Sequence, residues 1–259
     1  MIDIHTHILP GLDDGASDIY DSLEMAALAY ESGTTVIVAT PHCNIPGLYS
    51  NYFGKEYRST YLRTKEILKQ EHPRVTLLAG MEVFTTEDVP RLLTEGKIFP
   101  INRTRYVLME FDFGEDPEFA SEMLRRVKEV RALPVIAHAE RYEFVQDDPS
   151  IVSRWRREGY EIQINKGSLM GRFGTHAQKA AYELLDHKLV TVIASDAHSP
   201  VRRTTCMADA YEHLRESYPQ KYLDILFTEN PRRICNGRTP VRFQRLSSRR
   251  TSRWEDRYD

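Results

Sequence analysis

Short apolar runs alternate with longer amphipathic stretches along the whole of this 259-residue chain. The runs lie near 1–5, 35–40, 75–81, 105–110, 134–138, 160–164 and 190–195, are rich in Val, Ile, Leu and Ala, and predict seven strands. Between them, apolar residues recur at helical spacing near 17–32, 55–71, 117–131, 149–158 and 176–187, with further helices predicted near 206–216 and 219–228. Ser17 is a candidate cap, and Asp148-Pro149 places proline at a first helical position. Strict alternation of strand and helix predicts an α/β fold with a parallel sheet, long enough to close as one barrel. No repeat or linker divides the chain, so a single domain is expected over 1–243. From Gln244 to Asp259 the pattern stops: the segment is rich in Ser and Arg, has no apolar period, and is expected to be a disordered tail.

The candidate chemistry sits where the strands end. The first run delivers His5 and His7, which at positions i and i+2 share a strand face and can share one ion. Asp14 follows in the next loop. The second run leads into His42, the third into Glu82, the fourth ends on Glu110, the fifth meets His138, and the seventh meets Asp196 and His198. In a parallel barrel the C-terminal strand ends gather at one rim. Any one of these residues could be a hydrogen-bonded core histidine or a salt-bridged carboxylate. Nine together, each following a buried run where a lone charge would cost several kcal/mol, imply cations. The donors are nitrogen and oxygen without thiolate, which suits Mn, Fe or Zn, and they are too many for one ion.

Other polar residues at the rim have the opposite sign. Arg141 lies three positions after His138, and Arg202 and Arg203 follow His198; an arginine fork matches phosphate oxygens, although salt bridging or simple solvation would also explain these residues. Asn165, ending the sixth run, either binds substrate or caps a loop. Tyr49, Tyr52 and Phe53 follow His42 and could form an aromatic lip over the site, or merely fold their loop.

Composition narrows the field. A net charge of −3 gives no general footprint for nucleic acid. No run reaches the roughly 18 apolar residues of a membrane span. Cys43, Cys206 and Cys235 are odd in number and far apart, which fits a reducing compartment, and the first run starts at once without a signal-like leader, so a cytoplasmic location is expected. Cysteine-dependent phosphatases need an arginine six positions after the nucleophile; here those positions hold Tyr49, Glu212 and Val241.

These residues resemble the polymerase and histidinol phosphatase (PHP) superfamily, and within it the bacterial capsule and exopolysaccharide manganese-dependent protein tyrosine phosphatases. The resemblance covers residues 1–236 and rests on His5-Thr6-His7 with the loop through Asp13-Asp14-Gly15, Thr40-Pro41-His42, Gly80-Met81-Glu82, Glu110-Phe111, Val135 to Tyr142 (with His138-Ala139-Glu140-Arg141-Tyr142), Ile193 to His198, and Asn230-Pro231. It implies a distorted seven-stranded (β/α) barrel and three divalent metal ions, manganese foremost. One ion would take His5, His7, Glu82 and Asp196, a second Glu82, Glu110 and His138, a third Asp14, His42 and His198. Arg141 and Arg203 would hold the phosphate. The implied reaction is hydrolysis of phosphotyrosine by water whose pKa the metals lower, with no phosphoenzyme, on a protein such as the tail of a bacterial tyrosine kinase. The alternatives are a PHP phosphoesterase for histidinol phosphate, a nucleotide or a nucleic-acid end, and a scaffold that binds phosphotyrosine without turnover.

Overall fold

The computed structural model describes residues 1–243. The expected tail lies outside the described residues. Nine strands run in chain order: β1 (Ile2–Thr6), β2 (Val36–Ala39), β3 (His42–Cys43), β4 (Thr76–Ala79), β5 (Glu82–Phe84), β6 (Tyr106–Glu110), β7 (Leu133–Ile136), β8 (Glu161–Asn165) and β9 (Val192–Ala194). Helices α1 (Ile19–Glu31), α2 (Lys55–Glu71), α3 (Val89–Thr94), α4 (Pro117–Glu129), α5 (Glu143–Asp147), α6 (Ser150–Glu158), α7 (Lys166–Leu169), α8 (Thr175–Asp186), α9 (Ala208–Arg215), α10 (Gln220–Asp224) and α11 (Asn230–Cys235) connect and follow them.

Every strand pairing is parallel, in two sheets of order β1-β2-β4 and β3-β5-β6-β7-β8-β9. The expected single sheet of seven strands is thus interrupted. Its second and third strands each break in two, at Pro41 and at Gly80. Proline has no N–H to give a ladder. At Gly80 the backbone bonds instead to the Tyr57 hydroxyl, which donates to its carbonyl at 2.7 Å and accepts from its N–H at 3.2 Å. A Cβ there would stand 2.9 Å from Val38 Cγ1, so the break demands glycine. Past β9 the chain returns to β1: Asp196 N donates to His5 O and His7 N to Ala197 O, both at 2.9 Å.

Alternation along the strands divides the core. Ile162 and Ile164 of β8 and Val107 and Met109 of β6 pack toward the helices, while Leu108, Val135, Val192 and Ala194 form a separate inner cluster with Ile2 and Ile4. The helices answer at their own period: α8 buries Ala177, Ala180, Ala181, Leu184 and Leu185. Two helix details depart from expectation. Asp18, not Ser17, caps α1, accepting from the N–H groups of Tyr20 and Asp21, while Ser17 bonds the Asp21 side chain. The helix expected over 219–228 is α10 followed by a π-helical turn at Ile225–Glu229.

Candidate metal centre

All parallel strands point their C-terminal ends the same way, and the nine residues expected at those ends meet there. His5 and His7 leave β1 beside a register shift between Asp3 and Thr6, a local irregularity of the kind that re-aims side chains next to sites. His138 and Asp196 hold left-handed backbone, with φ of 33° and 51°, directly after β7 and β9. Such strain persists only where the surroundings hold it, and it turns both side chains into the cluster.

The inner part is sealed. His5 Nε2 lies 3.0 Å from Glu82 Oε2 and 3.4 Å from Asp196 Oδ1. His7 Nε2 lies 3.1 Å from the same Glu82 oxygen and 3.5 Å from the same Asp196 oxygen. Two imidazole nitrogens and two carboxylate oxygens therefore converge on one point. The far side of each ring is braced. Gln163 Oε1 accepts from the His138 backbone N–H and from His5 Nδ1, both at 3.0 Å, which orients the His5 ring with Nε2 toward Glu82 and Asp196. Asp13 Oδ2 braces His7 Nδ1 at 2.7 Å and also accepts from His42 N.

Two further groups share members with the first. His42 Nδ1 stands 3.1 Å from Glu82 Oε2 and 3.3 Å from Glu110 Oε2, and its Nε2 is 3.6 Å from Asp14 Oδ1. His198 Nε2 is 3.5 Å from Asp14 Oδ1, and its ring lies 3.7 Å from that of His7. Three sets of donor atoms mutually within 4.8 Å result: His5, His7, Glu82 and Asp196; His42, Glu82 and Glu110; and His7, Asp14, His42 and His198. The second holds His42 in place of the expected His138, and the third adds His7 to the expected Asp14, His42 and His198. His138 nevertheless adjoins it, 2.9 Å from Glu82 Oε1 and 3.5 Å from Glu110 Oε1.

The donors fit cations on a further count. His42 Nδ1, Glu110 Oε2, His138 Nδ1 and His198 Nε2 are buried with no hydrogen-bond partner, a cost that an ion near the first, second and fourth would remove. Charges also hold one another. Burial opposes ionisation of Glu82 and Asp196, but the neighbouring imidazoles, His5 foremost, outweigh it and keep both far below the usual carboxylate range. Burial likewise opposes charge on His138, yet hydrogen bonds to Glu110 and Glu82 push it up to about 10. By contrast, burial pushes the Cys43 and Cys235 thiols up to about 12, so neither is a ready thiolate.

Around the donors, Arg141 reaches within 3.8 Å of Asp196 Oδ2, its guanidinium held between the rings of Phe113 and Phe173, 4.2 Å from each centroid. Arg203 pairs with Asp196 Oδ2 at 2.5 Å and donates from Nε to the Asp196 carbonyl at 3.1 Å. Asn165 Nδ2 donates to the same Asp196 oxygen, so this residue orients the carboxylate. Arg202 is exposed, with its carbonyl accepting from Arg172. Tyr49 stacks parallel to His42, at 5.9 Å between centroids. The expected aromatic lip is otherwise absent: Tyr52 donates to Asn44 Oδ1, and Phe53 stacks on Phe99 at 4.4 Å, because this part of the loop folds onto the core.

Asp13, Gln163, Phe113 and Phe173 were not anticipated. The alternation Glu161-Ile162-Gln163-Ile164-Asn165 does carry a signal, since polar residues on a face that should be buried need partners. Nothing local marks Phe173 as the partner of Arg141.

A family model for capsular polysaccharide synthesis, CpsB/CapC, matches residues 1–236. The chain belongs to this family. It is similar to the tyrosine-protein phosphatase YwqE of Bacillus subtilis, 34% identical over 242 residues that cover 93% of this chain and 94% of that protein. It is also similar to the tyrosine-protein phosphatase CpsB of Streptococcus pneumoniae, at 31% identity over 90% of this chain and 98% of that one. Among solved structures, one described as a unique metal-dependent tyrosine phosphatase, from work on YwqE and CpsB, superposes with a TM-score of 0.88 at 33% identity, over 96% of this chain and all of the other.

Proposed function

We propose that this CpsB/CapC family member is a metal-dependent protein tyrosine phosphatase that uses three divalent ions, manganese foremost, with iron or zinc as substitutes. The observation that carries the reading is the convergence of eight nitrogen and oxygen donor residues, without thiolate, into three overlapping sets, two of which share Glu82, with His138 beside Glu82 and Glu110. We assign His5, His7, Glu82 and Asp196 to one ion, Glu82, Glu110 and His138 with His42 to a second, and Asp14, His42 and His198 to a third. We read the two sheets, joined through the breaks at Pro41 and Gly80 and back to β1, as one distorted seven-stranded barrel.

Bound divalent ions supply Lewis acidity that brings the pKa of water toward neutrality and offsets phosphate charge. The chain's own residues do the rest. Arg141, stiffened by Phe113 and Phe173, offers two parallel N–H groups to equatorial phosphate oxygens, and Arg203, beside the same Asp196 oxygen, adds a second fork. Asn165 keeps Asp196 aimed at the histidines while Arg203 engages substrate. Tyr49 packs on the substrate ring. A phenolate leaving group, with a pKa of about 10, departs with less help from an acid than an alkoxide needs.

No helix among the described residues is long and apolar enough to cross a membrane. The three cysteines are free, which fits the cytoplasm, where a phosphorylated kinase tail serving capsule or exopolysaccharide synthesis is the substrate we infer. Side-by-side assays of a phosphotyrosine peptide, histidinol phosphate and single-stranded DNA with manganese test the reading. Turnover should favour the peptide, fall with chelator and survive thiol alkylation. Faster hydrolysis of either other substrate, or peptide binding without turnover by metallated protein, sinks it.

A further inference from the structure

Six large apolar side chains are exposed among the described residues: Tyr20, Leu48, Leu62, Phe113, Met170 and Val201. Singly exposed apolar residues call for no explanation, but these are not scattered. Tyr20 opens α1 after the β1 connection, Leu48 tips the turn after β3 that Ile45 and Tyr49 bridge, and Phe113 follows β6. Met170 follows β8 through α7, and Val201 follows β9. Since every strand pairing is parallel, these five connections leave the end of the sheet that carries the metal donors. Leu62, on α2, is the exception among the six. The two largest exposures among the aliphatic members, Val201 at 80% and Leu48 at 67%, are on connections that contribute His198 and adjoin His42.

Charge on this rim is polarised. Exposed Arg172 and Arg202 stand together on the β8 and β9 side, joined where Arg172 Nη1 donates to Arg202 O at 2.9 Å. On the β6 side Asp112, Glu115 and Asp116 surround Phe113 in sequence.

We propose that this rim is a docking surface for the polypeptide on either side of the substrate phosphotyrosine, an inference that rests on the phosphatase reading. Leu48, Met170 and Val201 take apolar side chains next to the phosphotyrosine, and Arg172 with Arg202 takes an acidic side chain beyond them. The topology selects this occupant. The apolar residues sit on connections from β1, β3, β6, β8 and β9, all around the centre, so a second copy or a bilayer that covered them would close the centre to its own substrate. A substrate chain fills rim and centre together. At about 3.3 Å per residue an extended segment brings only its nearest few neighbours onto the rim, which makes short peptides sufficient probes.

The test uses the manganese-loaded full chain, a triple variant Leu48→Ser/Met170→Ser/Val201→Ser and the single variant Val201→Ser. Substrates are a phosphotyrosine peptide with Leu and Ile flanks and a distal Glu, the same peptide with Gly flanks, and p-nitrophenyl phosphate. Wild type should prefer the apolar-flanked peptide by about tenfold in kcat/KM, through KM, and the triple variant should lose that preference while p-nitrophenyl phosphate turnover stays within about twofold. Val201→Ser, with the same melting temperature as wild type, should lose part of the preference. Anisotropy with a non-hydrolysable phosphonate analogue of each peptide should give the same ranking without turnover. Equal use of the two peptides by wild type overturns the docking surface while leaving the phosphatase reading intact. So does an equal loss on all three substrates in the triple variant. Loss of binding to anionic vesicles, or of a dimer in sedimentation, in the triple variant reassigns the rim and overturns it too. No turnover of any substrate by wild type sinks the underlying reading and the docking surface with it.

Discussion

His5, His7, Glu82 and Asp196 are sealed from solvent and braced from behind, whereas Asp14, which meets His42 and His198, comes from a loop and leaves 54% of its side chain exposed. The inner residues leave strand ends, and Gln163, Asp13 and Asn165 hold their far atoms. Both regions offer nitrogen and oxygen donors. The difference lies in how much of their geometry exists before any ion arrives, and preformed geometry favours affinity because less ordering remains to be done. The inner set should therefore bind first and release last.

Mutations can break that comparison. Glu82 touches His5, His7, His42 and His138 with its two oxygens, so Glu82→Ala should remove ions from more than one set and cut phosphotyrosine turnover by at least about 10³-fold. Asp14→Ala should cost less, about 10²-fold, and keep the inner ions; metal content by mass spectrometry, measured with turnover, checks both. If Asp14→Ala empties the centre as completely as Glu82→Ala, the inner set is not independent. Next in size are the braces. Gln163→Leu frees His5 Nδ1 and should weaken metal binding about 10- to 100-fold in a competition titration, with the folded structure kept.

The pH dependence sharpens the comparison further. Without a cation, carboxylate neighbours hold His138 up to about 10, raise His7 well above the ordinary imidazole value and raise His42, all against the opposing effect of burial, so near neutrality His138 and His7 carry protons. A cation needs the neutral imidazole. Binding must therefore release protons, and manganese affinity should rise as pH increases from about 6 to about 8, as calorimetry in buffers of different ionisation enthalpy would record. Affinity that falls or stays flat over that range contradicts the assignment. His198 differs, because burial and the neighbouring His7 lower it, so its set should contribute fewer released protons.

Much of the fold and of the donor set is legible in the amino-acid sequence. Apolar runs mark the strands because a parallel sheet covered on both faces buries nearly every strand residue. Parallel pairing then carries eight residues at or just past strand ends to one rim, and the loop after β1 adds Asp14. What stays hidden depends on contacts distant in sequence. Tyr57 completes the backbone of Gly80 from 23 residues away, and so the break at Gly80 cannot be read from the run 75–81. Tyr52 and Phe53 have the composition and place of a lip, yet Asn44 and Phe99 claim them. Phe113 and Phe173 come from different connections and meet only at Arg141. Asp13 is visible beside Asp14, but its role depends on the ring of His7 behind it.

The central claim is that three ions sit in three overlapping sets, two of them sharing Glu82. A crystal structure of manganese-loaded protein, with anomalous scattering recorded across the manganese edge, tests it most directly. The account predicts three anomalous peaks: one among His5, His7, Glu82 and Asp196, one beside Glu82, Glu110 and His138, and one among Asp14, His42 and His198. A single peak, or peaks away from these three groups, would contradict it.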